Sequence, residues 1–487
     1  MRRLKNYVVA THKYVGTLMS SLLLMWCLTG FVLLFVGFPH ASRQDRFVAL
    51  EHLSDSSLEK VKLLPQTYSK GARLEMYNHR PVYRIKKGMK KELVIDAETL
   101  EVISSFDFQN CRQAAQAFVE GSLLRADTIT QLDSWIPWHY YQPLLPFYKF
   151  YYDDEEHTVV YVSSTTGSVI QRTTRHSRWM ARIGAIPHWV YFKQIKSKVS
   201  LHKTLVTVLG LLGLFACLSG LVLGFIRVKR NAEGKVTDWS VFKKPMYRYH
   251  HILGLFVGLF LCTYLLSGIF YTTGVPSWIA ASKEGKSAMK TWNTEEAVVH
   301  LLPSDIFRQL PRQQELRQMT WGSSMGSPVI RAYYTDYKQA EVYTLEGDTS
   351  LQPFVSQQHD VLALAEDYFP DANVDLSVQR TYDYYYEENG MYHHPLPVFK
   401  VALNNDPKEV LYIDPKTGKA VEYLDHKKRV QRVLTKTLHK MELPLLYKYN
   451  TWRIIVSVII LTLCTVVSYT SLVLSLRYLK RKFNRGY

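Results

Sequence analysis

Disulfide bonding has little to work with in this 487-residue chain. Of five cysteines, Cys27, Cys217, Cys262 and Cys464 fall inside long apolar runs and only Cys111 lies outside them. A disulfide-stapled secreted fold is excluded. Acid is equally scarce in three short basic pieces: Met1–Lys13, Arg227–Tyr249 and Arg477–Tyr487 carry 4, 7 and 5 Lys/Arg against only Glu233 and Asp238. These pieces hold +14 of the net +18 and leave 44 basic against 40 acidic residues elsewhere. With so little excess charge on the remaining chain, a nucleic-acid partner is not expected. The basic pieces also lack a glycine-rich phosphate-binding signature and are too short for a nicotinamide or flavin domain.

What the chain has in quantity is uncharged apolar length. Tyr14–Phe38, Thr204–Ile226, Ile252–Ala281 and Ile454–Leu476 contain no Asp, Glu, Lys or Arg. Each is long enough to cross a bilayer as a helix. The first run has about twice the apolar length of a signal peptide, and Phe38-Pro39-His40-Ala41 is a poor cleavage site, so it reads as a retained span. Lys and Arg concentrate on the cytoplasmic side of membrane proteins, which places both termini and the 227–249 loop inside the cell. The expected order is a tail and span over 1–38, an outward domain over 39–203, a span over 204–226 and a basic loop over 227–249. A span over 250–281, a second outward domain over 282–453 and a span with a basic tail over 454–487 complete it.

The two halves repeat. His12-Lys-Tyr-Val-Gly16 and Thr29-Gly30 match His250-His-Ile-Leu-Gly254 and Ser267-Gly268 at a constant shift of 238. Pro146-Phe-Tyr-Lys149, Thr166-Gly167 and Ser219-Gly-Leu-Val-Leu223 match Pro397-Val-Phe-Lys400, Thr417-Gly418 and Thr470-Ser-Leu-Val-Leu474 at a shift of 251. Under that second shift His188 falls on His439. Two halves running in the same direction imply a pseudo-twofold axis along the membrane normal. Alternating runs flank Thr165-Thr-Gly167 and Pro415-Lys-Thr-Gly418, the signature of β-hairpins, and weaker copies lie at 83–104 and 330–351. Arg112–Glu120 and Val361–Tyr368 read as short amphipathic helices, so each outward domain is expected to be α+β.

Ionisable residues at membrane depth are costly and point to function. A single interfacial histidine is weak evidence, but the repeat brings His12 opposite His250 near the inner surface and His188 opposite His439 near the outer one. Facing histidines from a helical bundle are the usual way to hold a haem iron from both sides. His251 is a spare at the inner site. At the outer site His188, Phe192, Ile195, Val199 and His202 recur at helical spacing, so symmetry favours His188 and membrane depth favours His202. Arg453 occupies the place of His202 in the second half and suits a haem propionate or an interfacial anchor. Two aromatic clusters, Trp135, Trp138, His139, Tyr140 and Tyr141, and Tyr384, Tyr385, Tyr386, Tyr392, His393 and His394, suit core packing or ligand docking.

The His-x-x-x-Gly and Thr/Ser-Gly elements, the Pro-His or Leu-His element before each return helix and the Thr-Gly hairpins together resemble the PepSY-associated transmembrane family. Within it the resemblance is to the di-haem inner-membrane ferrisiderophore reductases. It implies four transmembrane helices in two pseudo-symmetric halves with PepSY-like periplasmic domains. It further implies two b-type haems, held by His12 and His250 and by His188 and His439. The implied acceptor is a ferric siderophore or other periplasmic iron chelate, and the implied donor is a quinol or a cytosolic flavoprotein. Ser267 in place of Thr and Thr470-Ser471 in place of Thr-Gly depart from the family pattern. Two rivals carry no haem: a membrane-tethered PepSY regulator of peptidases, and a component of siderophore or iron transport. Against transport, four spans without a charged or broken helix leave little room for a polar path.

Overall fold

The computed structural model describes residues 2–65, 71–87, 91–280, 285–293, 300–347, 349–388, 393–404 and 409–484. The chain divides into a membrane unit, 1–38, 176–280 and 430–487, and an extramembrane unit, 39–175 and 281–429. Among the described residues, four helices are long and apolar enough to cross a membrane. They are α1 (Arg2–Leu33), α2 (Val199–Ile226), α3 (Pro245–Thr273) and α4 (Asn450–Phe483). Each exceeds the roughly 20 residues that a bilayer core requires. The protein is therefore a multi-pass membrane protein.

The four helices pack in a ring, with α1 and α3 each lying between α2 and α4. Small residues set the closest approach, as is usual where helices meet in lipid. A Cβ on Gly210 would stand 2.6 Å from Ile269 Cγ1, and one on Gly258 would stand 2.8 Å from Leu221 Cδ2. Pro245 opens α3 at a position where its missing N–H costs nothing, and Gly274 at φ +80° closes it. The third span was expected over 250–281; the helix instead begins at Pro245 and stops at Thr273, and Ala281 lies outside the described residues. Lys480, Arg481 and Lys482 fill the last turn of α4, where cations complement the helix dipole.

The approach to α2 corrects a second expectation. His188, Phe192, Ile195, Val199 and His202 do not share one helical face, because the chain breaks twice. A short helix Ala185–Trp189 ends at Val190, which is left-handed at φ +54°, and a second, Lys193–Lys196, ends before Lys198 turns extended. In the other half a π-turn over Val433–Thr437 leads into Leu438–Lys440, closed by Met441 at φ +55°.

In the extramembrane unit the two halves share one antiparallel sheet of eight strands. Arg73–Tyr77, Arg80–Lys86, Glu92–Asp96 and Val102–Ile103 come from the first half. Gln318–Ser324, Ser327–Tyr333, Ala340–Glu346 and Ser350–Pro353 come from the second. The central pairing is symmetric, with Arg73 opposite Thr320, Leu74 opposite Met319 and Glu75 opposite Gln318. Side chains alternate across the sheet. One face, with Leu74, Tyr83, Ile95, Met319, Trp321 and Ile330, is buried against Leu53, Leu58, Ile306 and Phe307. At about 1.5–3 kcal/mol per fully buried large side chain, this apolar face anchors the sheet. The other face carries Arg73, Glu75, Arg84 and Glu92.

Each half adds a four-stranded antiparallel meander, Ser122–Thr173 or Val374–Leu424, backed by a helix, Phe108–Gln116 or Gln358–Tyr368. Both predicted hairpins form, and their turns place Gly167 at φ +68° and Gly418 at φ +63°. A side chain at Gly167 would meet Tyr77 Oη at 2.6 Å, so glycine serves both the turn and the contact.

Candidate functional site

The membrane unit brings together four of the sequence-predicted histidines as two pairs. His12 of α1 and His250 of α3 have ring centroids 6.1 Å apart. His188 and His439, on the one-turn helices before α2 and α4, have centroids 6.2 Å apart. Each pair takes one ring from each half of the chain.

Hydrogen bonds fix the tautomer of all four rings. His12 Nδ1–H donates to the Ala216 carbonyl oxygen at 3.0 Å. The Thr470 hydroxyl donates to the Val467 carbonyl (2.8 Å), so its oxygen accepts from His250 Nδ1–H at 3.0 Å. The Thr29 hydroxyl donates to the Met25 carbonyl (2.8 Å) and accepts from His188 Nδ1–H at 2.9 Å. Ser267 does the same between the Tyr264 carbonyl (3.0 Å) and His439 Nδ1–H (2.9 Å). An imidazole whose Nδ1 carries the proton presents its Nε2 lone pair, and second-shell bonds of this kind orient metal-ligating histidines. None of the four Nε2 atoms has a hydrogen-bond partner among the described residues.

The repeated small residues acquire roles here. Gly16 and Gly254, one turn after His12 and His250, face open space. Both line a cavity of about 360 Å³ that also takes in His12, His250, Gly220 and Gly258. A Cβ on Gly220 would stand 2.7 Å from His12 Cε1, so only glycine lets that ring lie against α2. Gly30 and Gly268 lie under the outer pair, with Cβ positions 3.7 and 3.6 Å from the Cε1 atoms of His188 and His439. Arg227 and Arg481 line the inner cavity.

The outer pair sits on strained backbone. Val190 and Met441 follow their histidines by two residues, fall on matching positions of the repeat and both adopt φ near +55°. A β-branched residue in the left-handed region is rare, and such strain, about 1–3 kcal/mol, clusters at functional sites. Trp26 Nε1–H donates to the His188 carbonyl at 3.1 Å and ties that turn to α1. Burial pushes the His188 imidazole down to about 3 and the His439 imidazole to about 4, so both stay neutral near pH 7. Neutral imidazole is the form that ligates a metal.

The remaining candidates lie elsewhere. His251 uses both nitrogens, with Nδ1 on Ser240 Oγ (2.9 Å) and Nε2 on the Gly224 carbonyl (3.0 Å). His202 Nε2–H donates to the Trp189 carbonyl at 2.9 Å, and its ring neighbours Tyr191 at 5.8 Å. Arg453 Nη1 donates to the Lys440 carbonyl at 3.3 Å and braces the turn that carries His439. In the aromatic clusters Trp135 and Tyr386 are buried, and Tyr386 stacks between His394 and Tyr412 at 4.8 and 4.4 Å, which is core packing; Tyr392 lies outside the described residues. No group of three His, Cys, Asp or Glu able to hold a bare metal ion occurs among the described residues. The hydroxyls of Thr29, Ser267 and Thr470 were legible as repeat motifs, but their hold on the histidines was not.

An iron held from both sides by two imidazoles, at about 2 Å per nitrogen, sets the ring centroids roughly 6 Å apart. Both pairs have that spacing, and their free nitrogens, bonded Nδ1 atoms and glycine clearances fit a haem. The fold and site thus define a four-helix membrane protein of two fused halves that share an imidazole pair at each end of the bundle. The family profile described as the PepSY-associated TM region matches residues 9–337, and the chain belongs to the PepSY-associated transmembrane family. A comparison with curated proteins gives no match.

Proposed function

We propose that this protein is a di-haem reductase of the bacterial inner membrane that passes electrons outward to a ferric chelate. The observation that carries this reading is the pair of matched imidazole pairs, 6.1 and 6.2 Å between ring centroids, each contributed by both halves. His12 and His250 would hold one b-type haem and His188 and His439 the other. His12 and Thr29, the residue that orients His188, are 17 residues apart on α1, which is about 25 Å of helix. Bound haem supplies a one-electron centre that cycles between ferric and ferrous iron.

The chain's own residues do the rest. The Ala216 carbonyl and the hydroxyls of Thr29, Ser267 and Thr470 hold the ring planes and keep each proton on Nδ1. The surrounding apolar helices exclude water and favour the less charged state of each centre. Arg227 and Arg481 supply cations for propionates at the inner cavity. Lys/Arg asymmetry supports cytoplasmic termini and a periplasmic extramembrane unit. With no nucleotide-binding domain expected in the basic pieces, a quinol or a soluble flavoprotein is the proposed donor.

The acceptor's chemistry requires no protein nucleophile. A ferrisiderophore binds ferric iron through hard oxygen donors, and adding one electron gives ferrous iron, which those donors hold less tightly. The test is anaerobic: protein reduced with dithionite and freed of excess reductant is mixed with a ferric chelate and a ferrous-specific indicator. Reoxidation of both haems with release of two ferrous ions per chain is expected. Reduced haem that persists in the presence of every ferric chelate tried would overturn the proposal.

A further inference from the structure

The extramembrane unit contains a second cavity, of about 960 Å³, over the charged face of the eight-stranded sheet. Its size is that of a site for a siderophore-scale molecule. Six cationic side chains line it, Arg43, Arg46, Arg73, Arg84, Lys86 and Lys91, against three carboxylates, Glu51, Glu75 and Glu92.

Every carboxylate is already engaged. Glu75 accepts from Arg84 Nε and from Gln318 Nε2, both at 2.6 Å. Glu92 accepts from Arg73 Nη2 at 2.6 Å and lies 3.6 Å from Arg84 Nη1. Glu51 lies 2.9 Å from His79 Nδ1. Arg84 is 4% exposed and also donates to the Thr166 carbonyl at 2.7 Å, so it is structural. Arg43, Arg46, Lys86 and Lys91 make no ion pair among the described residues. Among the described residues Arg46 donates only to the Val169 carbonyl, at 3.4 Å, and burial lowers its hold on its proton. A half-buried guanidinium without a direct ion-pair partner favours an incoming anion.

The second half repeats only part of this charge. At the matching shift of 247, Arg73 becomes Thr320, Glu75 becomes Gly322, Lys86 becomes Tyr333 and Glu92 becomes Gln339, while Arg84 persists as Arg331 and Lys91 as Lys338. Folding has no need of the charge there, because the same strands form and pair without it.

We infer that this cavity binds a polyanionic chelate, one that presents carboxylate or catecholate oxygens around a trivalent metal, with Arg43 and Arg46 as its principal contacts. The inference rests on the reductase reading and narrows its acceptor to anionic ferric complexes. Tyr77, Tyr333 and Tyr337 add aromatic walls to the cavity.

The test is calorimetric titration of the full-length, detergent-solubilised protein with gallium(III) citrate, a redox-inert stand-in for the ferric complex. Metal-free citrate and an uncharged gallium trihydroxamate serve as comparisons. Gallium citrate should bind at least tenfold more tightly than either. The Arg43→Ala/Arg46→Ala variant should lose at least tenfold, and Lys86→Gln/Lys91→Gln, on exposed side chains, a smaller factor. Equal affinity for all three probes, or indifference to both variants, would overturn the inference, as would tighter binding of metal-free citrate. Haem content measured on the same samples separates the two proposals. Two haems with no selective binding overturns only the pocket, and selective binding to haem-free protein overturns only the reductase.

Discussion

The two units treat the repeat differently. In the membrane unit the halves match in chemistry: His12 answers His250, His188 answers His439, Thr29 answers Ser267, and the strained Val190 answers Met441. In the extramembrane unit they match in fold and diverge in chemistry, since the charged cavity belongs almost wholly to the first half. A group held on the axis between two halves takes one ligand from each, so both copies must keep it. A pocket whose charged side chains come from one half places no such demand on the other. This pattern of matching is what the proposed haem sites between the halves of the bundle would require.

Removing one ring breaks the comparison most severely. His12→Ala or His250→Ala should abolish one of two haems per chain and leave the other, and His188→Ala or His439→Ala should do the converse, read by pyridine haemochrome. Loss of both haems from a single variant that remains folded would contradict two independent axial sites.

A smaller effect separates the halves of the sheet. Arg84→Met leaves Glu75, 6% exposed, without its ion-pair partner and should destabilise the extramembrane unit by about 3–5 kcal/mol. Arg331→Met removes a hydrogen bond to a neutral acceptor, the Ser323 carbonyl (2.9 Å), worth about 1 kcal/mol. Thermal melts of the two variants should rank in that order; the reverse order would show that the carboxylates do not decide the difference.

The orienting hydroxyls sharpen the membrane side. Thr29→Val and Ser267→Ala each leave an Nδ1–H without its acceptor and should weaken haem retention about 10–100-fold while leaving the inner haem intact. Thr470→Val should act on the inner haem alone. A haem-loss assay to an apo-globin acceptor, with redox titration of each centre, distinguishes these outcomes from general destabilisation.

Much of this was legible in sequence because it rests on short-range periodicity and on the repeat. Charge-free runs gave the spans, Lys and Arg gave the orientation adopted in the proposal, and two constant shifts singled out the four histidines. The Thr-Gly turns read correctly because glycine at positive φ is a local requirement. What escaped was set by distant contacts. Nothing in Val190 announces a left-handed residue, so the helix into α2 was read as continuous when it breaks twice. The fused eight-stranded sheet depends on Arg73–Tyr77 meeting Gln318–Ser324 across some 240 residues, and the cationic cavity depends on that meeting in turn. The roles of Thr29 and Ser267 lay between these extremes: the motif was visible, and its geometric purpose was not.

The visible spectrum of the purified protein, oxidised and then dithionite-reduced, with haem counted per chain, decides whether the histidine pairs hold haem. A sharpened reduced α-band and close to two haems per chain are expected. Protein that stays colourless when produced with ample haem precursor would contradict it.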